Sequence, residues 1–383
     1  MPSDSTDHRR PDSTDDVFRF ADDLGPTRIT HVHEPTLGLR AVLVIDNVAR
    51  GPSIGGLRIA SDVTTAECVR LARAMTLKNA AADLPNGGGK SVLCGDPRMP
   101  ADQKERLVRA FAHAIRNEAD YIVGPDMGTD ERCMAWVDDE IGRAVGLPAA
   151  LGGIPLDELG ATGWGLRHAA EVAAASCGLD LQGARVVIQG FGSVGKHAAR
   201  FLVDRGAVLI AASDSRGTII NPSGLRVTDL IALKDAGKSV HDYPDGRALD
   251  RDAVLDVACD IWIPAARPDV VREDNVGRVS ARLVLQGANI PFTRGAEQAL
   301  HDRGVLVVPD FIANAGGVIC AAMEYQGATQ SAAFAAIEQK IRANTKAVLD
   351  AATAKRVPPR QAAEELAIER VTRAMSYRRF SIF

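Results

Sequence analysis

Two lysines and an aspartate are the residues best placed to do chemistry in the first half of this 383-residue chain. Lys90 follows Gly87-Gly88-Gly89 and leads into the apolar run Val92-Leu93. Glycine permits φ > 0 and lets a ligand approach the backbone closely. A lysine fixed on such a turn against apolar walls loses ammonium solvation, and its pKa falls toward the range a catalytic amine needs. A tight loop with a solvated lysine is the plainer reading of the same segment. Lys78, twelve residues earlier, borders the apolar helical face formed by Cys68, Leu71, Ala72 and Met75. There a lysine either snorkels to solvent or points into a cleft. The two amines can converge on one anion. Asp126 lies in Gly124-Pro125-Asp126-Met127-Gly128-Thr129, after the short strand pattern Tyr121-Ile122-Val123. Loops at such strand ends commonly carry function, although a turn former or helix N-cap fits the same residue.

The second half holds a different chemistry. Arg185 to Gln189 reads as a strand, and Gly190-Phe191-Gly192-Ser193-Val194-Gly195 then opens a helix running to about Asp204. A second strand, Ala207 to Ala212, ends at Ser213-Asp214, so an acid stands nineteen residues past the last glycine. Strand, glycine fingerprint, helix and acid in this order predict dinucleotide binding. The helix amino terminus offers free N–H groups to a pyrophosphate. Asp214 would accept hydrogen bonds from the adenosine ribose, which favours NAD. Ser213, Ser215 and Arg216 around it are able to bind a 2′-phosphate, which leaves NADP open.

These groups need a scaffold of two domains, the natural organisation for a chain of this length. The predicted fold class is α/β: an N-terminal α/β substrate and oligomerisation domain, then a Rossmann-type doubly wound dinucleotide-binding domain, with a cleft between them. Residues 1–25 read as a disordered tail, 26–150 as the substrate domain and 155–331 as the Rossmann domain. Leu147 to Gly160 is rich in Gly and Pro and carries the boundary. Arg40 to Val48 reads as a strand, followed by Gly51 to Arg58, a glycine-rich turn running into a second strand. Thr64 or Thr65 is positioned to cap a helix, with Glu67 in its first turn. Further strands are expected at Asp260 to Ile263, Leu283 to Leu285 and Val305 to Val308, each ending in a polar or glycine-rich turn. The alanine-rich residues 332–383 read as helices, broken at Pro358-Pro359, that return to the first domain or form a subunit contact.

Hydrophobic residues make up 46% and charged residues 25%, as in a soluble globular protein. A net charge of -4 argues against a nucleic-acid surface. No apolar run approaches the roughly 20 residues that span a membrane. The six cysteines are scattered without a CxxC pair, which predicts reduced thiols, a cytoplasmic setting and no metal site.

GPSIGGLR, LARAMTLKNAAADLPNGGGKSV, GPDMGT, ATGWG, QGFGSVG, QGAN and ANAGGV together resemble the glutamate/leucine/phenylalanine/valine dehydrogenase family, in the family's order. The similarity covers nearly everything beyond about residue 25. The resemblance implies reversible NAD(P)-dependent oxidative deamination of an L-amino acid to a 2-oxo acid and ammonium, by a homo-oligomer. By the same resemblance Lys78 holds the substrate α-carboxylate, and Lys90 and Asp126 are catalytic. It sets Thr162, Asn289 and Asn314 near the nicotinamide and the reacting amino acid. It further assigns Gly55, Gly56 and Asn289 to the substrate, and Phe191, Ser193, Val194, Ser215 and Ala265 to the cofactor.

Two positions depart from the glutamate-specific pattern. Members of that type carry a lysine before the paired glycines and a serine in the helix after NAGGV, both serving the γ-carboxylate. Here the positions are Ile54 and Ala321. Burying an unpaired carboxylate costs several kcal/mol, so an apolar branched-chain or aromatic substrate is expected. Ile54, Val318 and Ala321 would line its pocket, unless they are ordinary core. The alternatives are a glutamate dehydrogenase with a rearranged pocket and a catalytically silent nucleotide-binding homologue.

Overall fold

The computed structural model describes residues 18–377. Residues 1–17 of the expected tail and 378–383 of the closing helices lie outside the described residues. Asp22 to Gly25, which the composition assigns to the tail, are tied down. Arg73 donates to both Asp22 oxygens at 2.7 and 2.8 Å, and Asn47 Nδ2 donates to the Leu24 carbonyl at 2.7 Å.

The first unit comprises β1 (Arg28–Glu34), β2 (Leu39–Asn47), β3 (Ser53–Ala60), α1 (Thr65–Ala81), β4 (Gly87–Cys94), α2 (Ala101–Ala114), β5 (Tyr121–Pro125) and α3 (Glu131–Ile141). The sheet order is β1-β2-β4-β3-β5. The β1–β2 and β2–β4 pairs are antiparallel, while β3 lies parallel to β4 and β5. Thr64 caps α1 by accepting from the Glu67 amide at 3.1 Å. Asp130 does the same for α3 through the Cys133 amide, and Gly142 ends that helix at φ 63°. Leu43, Ile45, Leu57, Ile59, Phe111 and Tyr121 fill one core of this unit.

The expected glycine loop before Lys90 is instead a strand. Gly87, Gly88 and Gly89 lie inside β4, and none has a positive φ. Their role is close approach. A Cβ on Gly88 would sit 2.0 Å from the Thr76 amide nitrogen of α1, and one on Gly87 1.9 Å from the Asn47 carbonyl. The helix therefore lies directly on the strand that carries Lys90. Gly55 and Gly56 are likewise in β3 rather than in a turn.

The second unit runs through α4 (Leu156–Leu159), α5 (Ala161–Ser176), β6 (Arg185–Gln189), α6 (Ser193–Val203), β7 (Val208–Ser213), β8 (Thr218–Ile220), α7 (Val227–Asp235), β9 (Arg247–Leu249), β10 (Ile261–Pro264), β11 (Leu283–Leu285), α8 (Arg294–Asp302) and β12 (Leu306–Val308). The sheet order is β12-β11-β10-β6-β7-β8-β9. Strands β12 to β7 are parallel, and β8 and β9 extend the edge antiparallel. The chain leaves β6 for β7 on one side and later returns to β10 on the other. That reversal is the topological switch point where ligands bind in such sheets.

Four helices close the chain: α9 (Asp310–Ala313), α10 (Gly316–Tyr325), α11 (Gln330–Lys355) and α12 (Pro359–Tyr377). Helix α11 packs on α5 of the second unit and α12 on α1 of the first. Arg370 of α12 donates to the Ala80 and Ala81 carbonyls at 3.0 and 2.9 Å, at the buried carboxyl end of α1. At its other end Arg360 pairs with buried Glu297 and Asp310 at 2.6 and 2.8 Å. One helix thus grips both units.

Candidate active site

Lys90 sits in the middle of β4 and is only 6% exposed. Its Nζ lies 2.6 Å from Asp126 Oδ2, at the end of β5. Gly56 on the intervening β3 makes room for this pair. A Cβ there would stand 2.7 Å from Asp126 Cβ and 3.3 Å from Lys90 Nζ. Arg58, one residue further along the same face of β3, donates from Nε to the same Asp126 oxygen at 3.1 Å. Its Nη1 donates to Glu67 at 2.7 Å. Burial acts to raise the Asp126 pKa. The Lys90 ammonium and then Arg58 outweigh it and hold the carboxyl below its ordinary value.

Lys78 approaches from the last turn of α1. Its Nζ lies 3.4 Å from Asn289 Oδ1, which also accepts from Asn314 Nδ2 at 3.0 Å. Burial pushes the Lys78 amine down to about 8, with attraction to Asp310 opposing and repulsion from Lys90 adding to the fall. Lys90, after the glycines, sits in a direct ion pair with Asp126. Ile290, beside Asn289, is held at φ 49°, an uncommon conformation for a β-branched residue. Its amide donates to Asp310 Oδ2 at 2.8 Å, which pins the loop carrying Asn289.

A cavity of about 590 Å³ lies between the two units. Ile54, Gly55, Gly56, Lys78, Thr162, Asn289, Asn314, Val318 and Ala321 all line it. Met75, read from the sequence as part of the apolar face of its helix, and Val145, which the sequence did not point to, line it as well. The charged lining residues are Arg58, Lys78 and Arg267. Arg58 is committed to Asp126 and Glu67, and Arg267 is exposed. Ile54, Val145 and Ala321 belong to one apolar cluster.

A second cavity of about 740 Å³ adjoins the carboxyl ends of β6 and β7. Gly190, Phe191, Gly192, Asp214, Ser215 and Ala265 line it. The three fingerprint glycines divide the work. Gly190 turns at φ 96°, where a Cβ would strike Ala266, and a Cβ on Gly195 would lie 2.0 Å from the Gly190 carbonyl, so strand and helix are in close contact. Gly192 faces open space. No side chain caps α6, so its first amides are free for a pyrophosphate. Ser193 Oγ instead donates to the Asp157 carbonyl at 3.0 Å, and Val194 faces the first cavity. Ala265, Ala266 and Arg267 border both cavities. Gln189 Oε1 in one cavity and Asn314 Oδ1 in the other are buried without a hydrogen-bond partner among the described residues. The residues present therefore fit a dinucleotide running from one cavity into the other.

Asp214 lines the second cavity, as expected of it, with its carboxylate already hydrogen-bonded. Its Oδ1 accepts from Ser239 Oγ at 2.7 Å and the Arg216 amide at 3.0 Å. Its Oδ2 accepts from Lys234 Nζ at 2.8 Å and the Val240 amide at 3.1 Å. Burial alone would raise its pKa, but these donors, Lys234 foremost, bring it to about 2. The carboxylate is occupied and neutralised, so the electrostatic case for NAD over NADP loses its basis. Lys234 and Ser239 lie 20 and 25 residues beyond Asp214, outside any motif.

Arg58 was also missed. Reading GPSIGGLR as a turn hides it. Read as a strand, alternate residues Ile54, Gly56 and Arg58 share one face, which is the signal that finds it. Among the described residues no group of three or more His, Cys, Asp and Glu is arranged to hold a metal ion, and all six cysteines are free. No described helix is long and apolar enough to cross a membrane.

Known proteins match along almost the whole chain. Residues 26–143 match the family model for the Glu/Leu/Phe/Val dehydrogenase dimerisation domain, and residues 152–379 the model for Glutamate/Leucine/Phenylalanine/Valine dehydrogenase. A glutamate dehydrogenase of Aeropyrum pernix is 36% identical over 87% of this chain and 85% of its own length. An NADP(+)-dependent glutamate dehydrogenase of Pyrobaculum calidifontis is 40% identical over 73% of this chain and 70% of its own. Among solved structures, the hetero-hexameric glutamate dehydrogenase of Thermus thermophilus in a Leu-bound form superposes with a TM-score of 0.83. It is 30% identical and covers 93% of this chain and 90% of that one.

Proposed function

The chain belongs to the glutamate/leucine/phenylalanine/valine dehydrogenase family, and on that premise we propose that it oxidatively deaminates an apolar branched-chain or aromatic L-amino acid. It is an amino acid dehydrogenase that uses NAD or NADP. The bound cofactor supplies the hydride acceptor for Cα. Lys78 pairs with the substrate α-carboxylate and orients Cα toward the dinucleotide site. Asp126 takes a proton from the α-ammonium, because hydride leaves Cα only when the amine is neutral. Lys90 polarises the water that adds to the resulting iminium carbon and stabilises the charge that develops there. As that adduct collapses, Asp126 returns its proton to the amine nitrogen, one proton of the added water completes the ammonium and the other passes to solvent, leaving the 2-oxo acid. Asn289 and Asn314 orient the reacting groups from the second unit.

The observation that carries the substrate reading is the apolar end of the cavity. Ile54 is 3% and Ala321 8% exposed, packed in one cluster with Val145, and Arg58 is already paired with Asp126 and Glu67. A γ-carboxylate placed against Ile54, Val145 and Ala321 would find no partner among them. Glutamate is the second reading, supported by the names of the similar proteins. NAD(P)H formation with leucine, valine, phenylalanine and glutamate separates the two. Turnover of the apolar amino acids is expected, and glutamate as the sole good substrate would sink the first reading. We further propose a cytoplasmic homo-oligomer assembled through the first unit, a closed symmetric assembly being the common form.

A further inference from the structure

Asp126 must present one oxygen to a substrate ammonium in a fixed direction. Both cations beside it, Lys90 at 2.6 Å and Arg58 at 3.1 Å, bind the same oxygen, Oδ2. Neither cation is bonded to Oδ1, so the two of them fix the carboxylate through one oxygen. Gly56 makes room for the pair, since a Cβ there would stand 2.7 Å from Asp126 Cβ. Lys90 holds the carboxylate from one side, and Arg58 adds a second, directional constraint. Its guanidinium is planar and spans two acids, with Nε on Asp126 and Nη1 on Glu67 Oε1 at 2.7 Å. Glu67 is itself fixed in the first turn of α1 by the Thr64 cap. The carboxylate is thereby tied through Arg58 to the helix that carries Lys78. A lysine at position 58 would reach one acid but not bridge both.

We propose that Arg58 is a positioning residue that orients Asp126 for proton abstraction, with Glu67 as its anchor. This rests on the dehydrogenase reading above. It is distinct from substrate binding: Nε and Nη1 are the donors that hold the two carboxylates, and the division of the effect between kcat and KM separates the two roles.

The test uses the full chain with the amino acid and cofactor that turn over best. Steady-state kcat and KM are measured for wild type, R58Q, R58K, D126N and the R58Q/D126N double variant. R58Q is expected to lower kcat about 10- to 100-fold, as misplacement of a reacting group does, with KM for the amino acid little changed. R58K recovers part of the loss. In the D126N background R58Q costs nothing further, because Arg58 acts only through Asp126. A raised KM at unchanged kcat, or a full additional loss in the double variant, would overturn the inference. Where circular dichroism shows R58Q to be unfolded, E67Q replaces it, and its smaller kcat loss must also vanish in D126N. Active wild type with an unaffected R58Q refutes the role of Arg58 alone. Wild type inactive with every amino acid and both cofactors refutes the dehydrogenase reading and this inference with it.

Discussion

Lys78 should make carboxylate binding depend on pH around 8. Burial brings its amine down to about 8, so the ammonium that receives the substrate carboxylate is fully present only below that pH. A bound carboxylate stabilises the charged form and raises the pKa again. Binding above pH 8 must therefore take up a proton, and each further pH unit costs about 1.4 kcal/mol. Between pH 7 and 9.5 the affinity for the substrate's 2-oxo acid should fall roughly 30-fold, about 2 kcal/mol. The 2-oxo acid is the right probe because it has no ammonium of its own. Isothermal titration of the NADH-loaded protein, in buffers of different ionisation enthalpy, gives both the affinity and the proton count. At pH 9 about 0.9 proton should be taken up per oxo acid bound. Lys78→Met should bind weakly at every pH and take up no proton. An affinity that stays flat from pH 7 to 9.5, or proton uptake that persists in Lys78→Met, would refute the reasoning.

Three further outcomes are expected. Lys90→Ala should lower kcat by about 10²- to 10⁴-fold while the fold, read by circular dichroism, persists. Gly56→Ala drives a Cβ to 2.7 Å from Asp126, so thermal melts should show a loss of about 1–3 kcal/mol together with lost turnover. Asp214→Asn should destabilise the protein at pH 7 by about 2 kcal/mol, since the wild-type carboxyl titrates near 2 against 3.8 in an unfolded chain. The folded pKa is depressed, so this contribution is present above about pH 4 and lost as pH falls toward 2. Denaturant melts of wild type and variant should converge at pH 2, and a pH-independent difference would contradict the network.

The cofactor half of the site was legible because its motif is local. Strand, GxGxxG and helix follow one another in sequence, and Arg185–Gln189 and Leu283–Leu285 are strands in the structure as read. The glycines before Lys90 misled because composition reports flexibility and not contact. Their cause is close approach by Asn47 at Gly87, Thr76 at Gly88 and Ser53 at Gly89, contacts that leave no periodic trace in the strand itself. Arg58 was hidden by the same error at β3. Asp214 illustrates a further limit. The motif places an acid at the strand end, but its hydrogen-bond partners Lys234 and Ser239 come from a later helix and turn. Whether a buried carboxylate is free or already satisfied depends on such distant donors. The grip of α12 on both units rests likewise on Arg360 and Arg370 meeting residues far away in sequence.

The central claim is that the Lys90–Asp126 pair acts on an amino acid whose side chain meets Ile54, Val145 and Ala321 instead of a cation. The ratio of kcat/KM for leucine or phenylalanine to that for glutamate tests it most directly, measured for wild type and for Ile54→Lys. The ratio should exceed unity in wild type and fall steeply in Ile54→Lys, because the new ammonium offers a γ-carboxylate the partner it lacks. A wild-type ratio below unity, unmoved by Ile54→Lys, would contradict the account.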